Sequence, residues 1–314
     1  MAFDLQVFNK QTYTVMTETA AQDIEKFNAA SGGAVVLSAK PFEGDFDIRS
    51  QFKAIGGLVR RRNAYGSGTV ASVRLQEMLN VAVKVAAGTA PVEFERQQYE
   101  WTLREPELAA VTIGEQLAKA RLADMLNAGL TAAATAIGSN TETVLDESTA
   151  APTFGILNNG AAKMGDRSGS LKAWVLHSTV MHNLFANALA NTERLFAYDG
   201  VNVVRDPFGR VFVVTDSPAL VNSGVYTTLG LVENAVVVND NNDFNAVMEN
   251  RTGEENVRTI YQAEWSFGVG VKGYAWDMAA GGKSPTDTAI ATPTNWKKTA
   301  TSSKDTAGVL VKTK

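Results

Sequence analysis

The stretch from Glu107 to Ile137, ELAAVTIGEQLAKARLADMLNAGLTAAATAI, limits most what this chain can fold into. Pro106 precedes it, with Glu105 and Glu107 on either side. Proline is tolerated in the first turn of a helix, and carboxylates there complement the positive end of the helix dipole. Ala118, Leu122, Met125, Leu126, Gly129, Leu130 and Ala133 recur at steps of three and four, the signature of one buried helical face. Lys119, Arg121 and Asp124 are expected to point elsewhere. Gly138-Ser139-Asn140 supplies the stop. At 1.5 Å per residue the helix is about 45 Å long, beyond the usual three to four turns. Gly114 and Gly129 each weaken it by roughly 1 kcal/mol relative to Ala, so packing has to hold it. Such an element reads as a spine joining an extended charged region before it to a mixed α/β region after it.

With 314 residues, 45% of them hydrophobic, the chain suits one large or two ordinary globular domains. No run of eighteen apolar residues occurs, so no membrane-spanning helix and no membrane partner are expected. The start, MAFDLQVFNKQTY, lacks the basic and apolar regions of a signal peptide. The absence of cysteine excludes disulfides and thiolate metal sites. A net charge of −4 is too balanced for a surface that grips nucleic acid throughout. Two histidines against 26 glycines leave little for acid–base or metal chemistry and much for strands and turns.

Before the spine, Val15 to Phe27 fits a short amphipathic helix, and SGGAVVLSAKP (31–41) a turn, a short strand and a break at Pro41. A region with so few apolar anchors is either a flexible terminus or an arm packing on a neighbouring copy. Val81, Val83 and Val85 alternate with small or charged residues, and Val92 to Gln97 alternate likewise. With Gly88-Thr89-Ala90-Pro91 as the turn between them, the two runs predict a long hairpin, which needs a surface to lie on. Arg60, Arg61 and Arg62 form a basic cluster. A subunit-pairing or solvated role outweighs phosphate binding, and Glu93, Glu95 and Glu100 offer partners within one copy or between two.

After the spine, residues 138–170 are turn-rich, with a short helix expected around Phe154 to Leu157. LKAWVLHST (171–179) reads as a strand and VMHNLFANAL (180–189) as a helix. Residues 201–206, 209–220, 225–240 and 242–250 supply further strands, with turns at Asp199-Gly200, Pro207-Phe208-Gly209 and Ser223-Gly224. Together they predict a compact α+β domain. ENVRTIYQAEWSFGVGVKGYAWDM (255–278) alternates strongly and is expected to pack under the spine, with glycines letting backbone approach. Residues 279–314, rich in Ser, Thr, Lys, Gly and Ala, predict a tail without a core, disordered or draped on the surface.

Catalytic candidates are thin. His177 and His182, five apart, share no helix face and lack the Glu of a zinc-binding helix motif. Local hydrogen bonds at a strand end and a helix start account for them. Asp216-Ser217 before Pro218 reads as a turn. Asn239-Asp240-Asn241-Asn242-Asp243 lacks the central Gly and closing Glu of a calcium loop. No glycine-rich nucleotide-binding pattern is present. No catalytic residue, cofactor or metal is therefore expected.

The order of parts, together with AVKVAAGTAPVEFE leading into WTLREPE, VLHSTVMHNLFANAL, GRVFVVTDSPAL and AEWSFGVGVKGYAWD, resembles the major capsid proteins of tailed bacteriophages, the Hong Kong 97-like fold. The resemblance covers roughly residues 1–278 and implies an α+β capsid fold. Residues 1–41 would be the N-terminal arm and 42–104 the extended loop over an adjacent subunit. Residues 105–170 and 251–278 would form the peripheral domain with the spine helix, 171–250 the axial domain, and 279–314 a tail. It implies self-assembly into pentamers and hexamers of an icosahedral head enclosing double-stranded DNA without sequence specificity. Scaffolding, portal and decoration proteins would be further partners, and the place would be the virion, assembled in host cytoplasm. The chain starts almost directly at the arm, with no long helical extension, so scaffolding would be a separate protein. Arg60, Arg61 and Arg62 are expected to pair with carboxylates such as Glu93 and Glu95 of a neighbour or of the same chain. Two alternatives stand beside it. One is an encapsulin-type nanocompartment shell. The other is a soluble hydrolase using His177 or His182, which requires a deep pocket beside one of them.

Overall fold

The computed structural model describes residues 5–38, 40–41, 44–52, 60–72, 74–75, 77–95, 106–185, 193–198, 201–205, 211–253 and 255–314. In chain order the elements are α1 (Leu5–Ala30), β1 (Val35–Ser38), β2 (Phe46–Phe52), β3 (Glu77–Gly88), β4 (Val92–Glu95), α2 (Pro106–Gly138), β5 (Val144–Asp146) and α3 (Phe154–Ala162). There follow β6 (Leu171–Leu176), α4 (Ser178–Phe185), β7 (Glu193–Tyr198), β8 (Val201–Arg205), β9 (Val211–Thr215), β10 (Val221–Asn222), β11 (Val225–Val232), β12 (Val236–Asp240) and β13 (Asn245–Arg251). The last are β14 (Arg258–Val271), β15 (Tyr274–Trp276), α5 (Asp287–Ile290), β16 (Trp296–Lys298) and β17 (Gly308–Thr313). The fold is α+β.

Two mixed sheets carry the chain. The first runs β1-β12-β14-β3-β2, with β13 and β4 also paired to β14. The second runs β5-β17-β11-β6-β9-β8-β7, with β10 on β11. The spine helix α2 packs on the first sheet. Ala118, Leu122, Met125, Leu126, Leu130 and Ala133 are buried, as their spacing predicts. Its two glycines are contact points. A Cβ on Gly129 would lie 2.8 Å from Val238 Cγ2, and one on Gly114 2.8 Å from the Thr12 carbonyl of α1. Close backbone approach offsets the helix propensity they give up. Arg121, expected to face away, is instead buried and ion-paired with Asp240. A charged side chain is tolerated on the buried stripe because its counter-ion is buried beside it.

The N-terminal region departs from expectation. In place of a short helix over 15–27, α1 spans 26 residues and lies along α2 of its own chain. Thr12, Met16, Ala20 and Phe27 form its buried stripe. Small and polar residues on that stripe hide the helical period from a hydrophobicity reading, and contact with α2 supplies what amphipathicity lacks. β1 then joins the first sheet, parallel to β12.

The predicted hairpin of 81–85 with 92–97 is corrected. Both runs pair with β14, end to end along one edge, Val83 to Gly88 opposite Val269 to Glu264 and Val92 to Glu95 opposite Tyr261 to Arg258. Thr89 stitches the gap: its N–H donates to the Ala263 carbonyl at 2.8 Å, and its hydroxyl accepts the Ala263 N–H at 2.9 Å. The partner of β3 is β2, from Phe46 opposite Val83 to Phe52 opposite Glu77, so the ribbon's tip lies within residues 53–76.

Two boundaries also move. Strands β12 and β13, read with the domain at 171–250, belong to the first sheet through β14. The predicted tail is a folded segment. β17 sits inside the second sheet between β5 and β11, and Val309, Leu310 and Val311 are buried. Trp296 is buried edge-on to Trp276 with centroids 5.1 Å apart. A few large apolar residues suffice because a preformed sheet receives them; composition averaged over the segment conceals this. The helix Phe154 to Leu157 is found as α3, and the 255–278 strand as β14 and β15. The predicted turns at 199–200 and 207–209, the helix end at 186–189 and Glu100 lie outside the described residues.

Candidate assembly surfaces

The β2–β3 ribbon carries the first surface. Val81, Val83 and Val85 share one face of β3 and are buried. Strand alternation and register put Leu79, Ile48 and Phe52 on that same face. They are 46%, 51% and 78% exposed. The core-facing side of the sheet thus continues past the body as an uncovered, largely apolar strip, interrupted by Ser50 and Glu77.

At the tip, Arg60, Arg61 and Arg62 are exposed, and among the described residues none of them forms an ion pair. Asn63 shapes the turn that follows: its side-chain oxygen accepts the Tyr65 N–H at 3.0 Å, and its carbonyl accepts the Gly66 N–H at 3.3 Å. Tyr65 stands in the open. Residues 48–76 contain Arg49, Lys53, the arginine triplet and Arg74, with no Asp or Glu. The chain's net charge is −4, so six positive charges here leave the remaining residues at −10.

The second surface is the far end of the first sheet. Glu93 lies opposite Ile260, which lies opposite Glu249; Glu95 lies opposite Arg258, which lies opposite Arg251. Arg258 Nη1 is 3.2 Å from Glu93 and its Nε 3.8 Å from Glu95. Glu264 shares this face and accepts a hydrogen bond from Asn245 at 3.0 Å. Glu93 and Glu95 are therefore brought together, with Arg258 between them and the arginine triplet elsewhere. Arg258 was not foreseen. It lies 165 residues from Glu93, and only the pairing of β4 with β14 joins them.

The remaining candidates have local roles. His177 Nδ1 accepts the Thr179 N–H at 3.2 Å, its Nε2 is 3.5 Å from Asp216, and its ring lies beside Tyr226. Its Nδ1 thus fills, at the start of α4, the N-cap role that Ser, Thr, Asn or Asp usually takes. His182 is exposed on α4. Ser217 accepts the Ala219 N–H at 3.4 Å, closing the turn predicted before Pro218. In the Asn/Asp run, Asp240 pairs with Arg121, and Asp243 accepts the Ser266 N–H at 2.7 Å. Among the described residues no three His, Asp or Glu side chains converge as metal ligands, and no helix is long and apolar enough to cross a membrane. A cavity of about 890 Å³ opens between the ribbon base and the sheets, lined by Asp47, Arg49, Asn80, Arg167, Lys172 and Lys304 among others. Neither histidine lines it.

The chain thus presents an uncovered ribbon with a basic tip, set on a spine helix and two mixed sheets. The chain matches the Gp13-like family model, Major capsid protein 13-like, over residues 4–310, and it belongs to that family of major capsid proteins. Family membership and the order of parts together give the Hong Kong 97-like capsid fold anticipated from the sequence. Among solved structures the chain is similar to one from Mycobacterium phage Adephagia, at 10% identity and TM-score 0.49, covering 91% of this chain and 90% of that one. It is also similar to the Cyanophage Pam1 capsid asymmetric unit, at 11% identity and TM-score 0.49, covering 89% and 88%. A third is the capsid of Myoviridae phage XM1, at 12% identity and TM-score 0.48, covering 90% of each chain. No curated protein matches the sequence.

Proposed function

We propose that this major capsid protein assembles through identical contacts into the pentamers and hexamers of an icosahedral phage head that encloses double-stranded DNA without sequence specificity. It acts by assembly and not by catalysis, in the virion, after assembling in host cytoplasm. One observation carries the reading: the ribbon leaves the body with its apolar face uncovered and its basic tip without a partner among the described residues. Apolar strips of this kind mark contact surfaces, and repeated contacts on closing rotations generate shells. In this reading the first sheet with α2 is the peripheral domain and the second sheet the axial domain. Arg60, Arg61 and Arg62 meet carboxylates such as Glu93 and Glu95 of an adjacent copy. A near-neutral chain suits a lining that holds DNA weakly.

Negative-stain electron microscopy of the purified chain tests the proposal. Closed shells are expected. A monodisperse small species under every assembly condition would refute it. Replacing the three arginines by Ala is expected to abolish or strongly reduce shells while leaving the thermal unfolding transition unchanged.

A further inference from the structure

We infer that Arg258 is a place-holder: it occupies Glu93 and Glu95 until the arginine tip of a second copy displaces it. The inference rests on the contact proposed above and adds the step by which that contact forms.

The charge distribution selects the occupant. The ribbon's 48–76 segment holds six basic residues and no carboxylate, in a chain that is otherwise at −10. A second copy of the same chain offers the complementary field. On the outer face of the sheet end, Glu93, Glu95, Glu249 and Glu264 share the surface with Arg258 and Arg251, so among the described residues of these strands acid exceeds base by two. One guanidinium there serves two carboxylates, at 3.2 Å and 3.8 Å. Both carboxylates and the guanidinium remain partly open to solvent, at 43%, 26% and 42% exposure, so an incoming group reaches them without unfolding the sheet. Exposed ion pairs contribute little and exchange readily. Three adjacent arginines bring more donors than one and take over the two carboxylates from Arg258. The place-holder keeps the face from gripping other cations before a tip arrives, and each docking must first undo it.

This assigns opposite signs to two substitutions on the same face. Assembly of the full-length chain is followed by light scattering across a NaCl series, with electron microscopy of the products. Arg258→Gln is expected to raise the initial rate by roughly two- to fivefold, the range that an exposed ion pair spans, and to extend assembly to higher NaCl. Glu93→Gln with Glu95→Gln is expected to slow it and to flatten the salt dependence. An unchanged or slower rate in Arg258→Gln, with its melting transition intact, overturns the place-holder and leaves the tip contact standing. No effect of the triple arginine substitution overturns the tip contact itself. If Arg258→Gln loses its cooperative melt, Arg258→Lys serves instead. A lysine lacks the fork that spans two carboxylates, so an intermediate rise is expected and its absence counts against the place-holder.

Discussion

Arg121 on the spine helix and Asp240 at the end of β12 form an ion pair whose side chains are 5% and 7% exposed. Asp240 also accepts the Asn242 N–H at 3.0 Å, so one carboxylate ties the helix to the turn leaving β12. The Arg121 guanidinium lies 5.9 Å from the Phe244 ring centroid, and that ring stacks near Trp265. A buried charge left without its partner is costly. Arg121→Ala is expected to destabilise the chain by about 3–5 kcal/mol, read from chemical unfolding. Arg121→Met combined with Asp240→Leu is expected to recover most of the loss but not all, because the Asn242 N–H then lacks its acceptor.

Gly114 separates helix propensity from packing. In an isolated helix, Ala in place of Gly gains about 1 kcal/mol. Here a new Cβ would meet the Thr12 carbonyl at 2.8 Å and Val15 at 3.2 Å, so α1 would have to move. Gly114→Ala is expected to lower the thermal midpoint, with an overpacking cost of about 1–3 kcal/mol outweighing the propensity gain. A raised midpoint would mean that α1 is loosely held.

Asp124 sets a pH dependence. Burial holds its carboxyl above the usual carboxylate range, and neighbouring Asp287 adds to the shift. Its Oδ2 is buried with no hydrogen-bond partner among the described residues. The folded state therefore holds this proton more tightly than the unfolded chain. The stability it contributes is present below the ordinary carboxylate pKa and is lost as pH rises through the raised value. Asp124→Asn is expected to melt higher than the native chain at pH 7, with the difference vanishing toward acid pH. Parallel melting curves across that window would contradict this.

β17 makes a strong truncation test. It lies between parallel β5 and antiparallel β11, and its Val309, Leu310 and Val311 are buried. Each is worth about 1.5–3 kcal/mol of burial, and removal also exposes both neighbouring strands. Deleting residues 308–314 is expected to abolish cooperative unfolding and to drive the chain into aggregates, seen by circular dichroism and sedimentation. A soluble, cooperatively melting product would show that the second sheet closes without it.

Long periodic elements and strong alternation were legible. The spine helix, its buried stripe, β3 and β14 all follow from spacing. The site was legible only in its halves. The arginine cluster and the two glutamates stand out as charges, and Arg258 between those glutamates does not.

Local periodicity determined which segments are helix or strand, because side-chain burial repeats with the backbone's own period. Residue identity alone determined that the 48–76 segment carries only positive charge. Tertiary structure alone decided which strands are neighbours: that β2, not β4, is the ribbon partner of β3, that 236–251 joins the first sheet, and that a polar-looking C-terminus supplies an inner strand. Those choices depend on contacts between residues far apart in the chain, whose energies come from surfaces that exist only once the fold has formed.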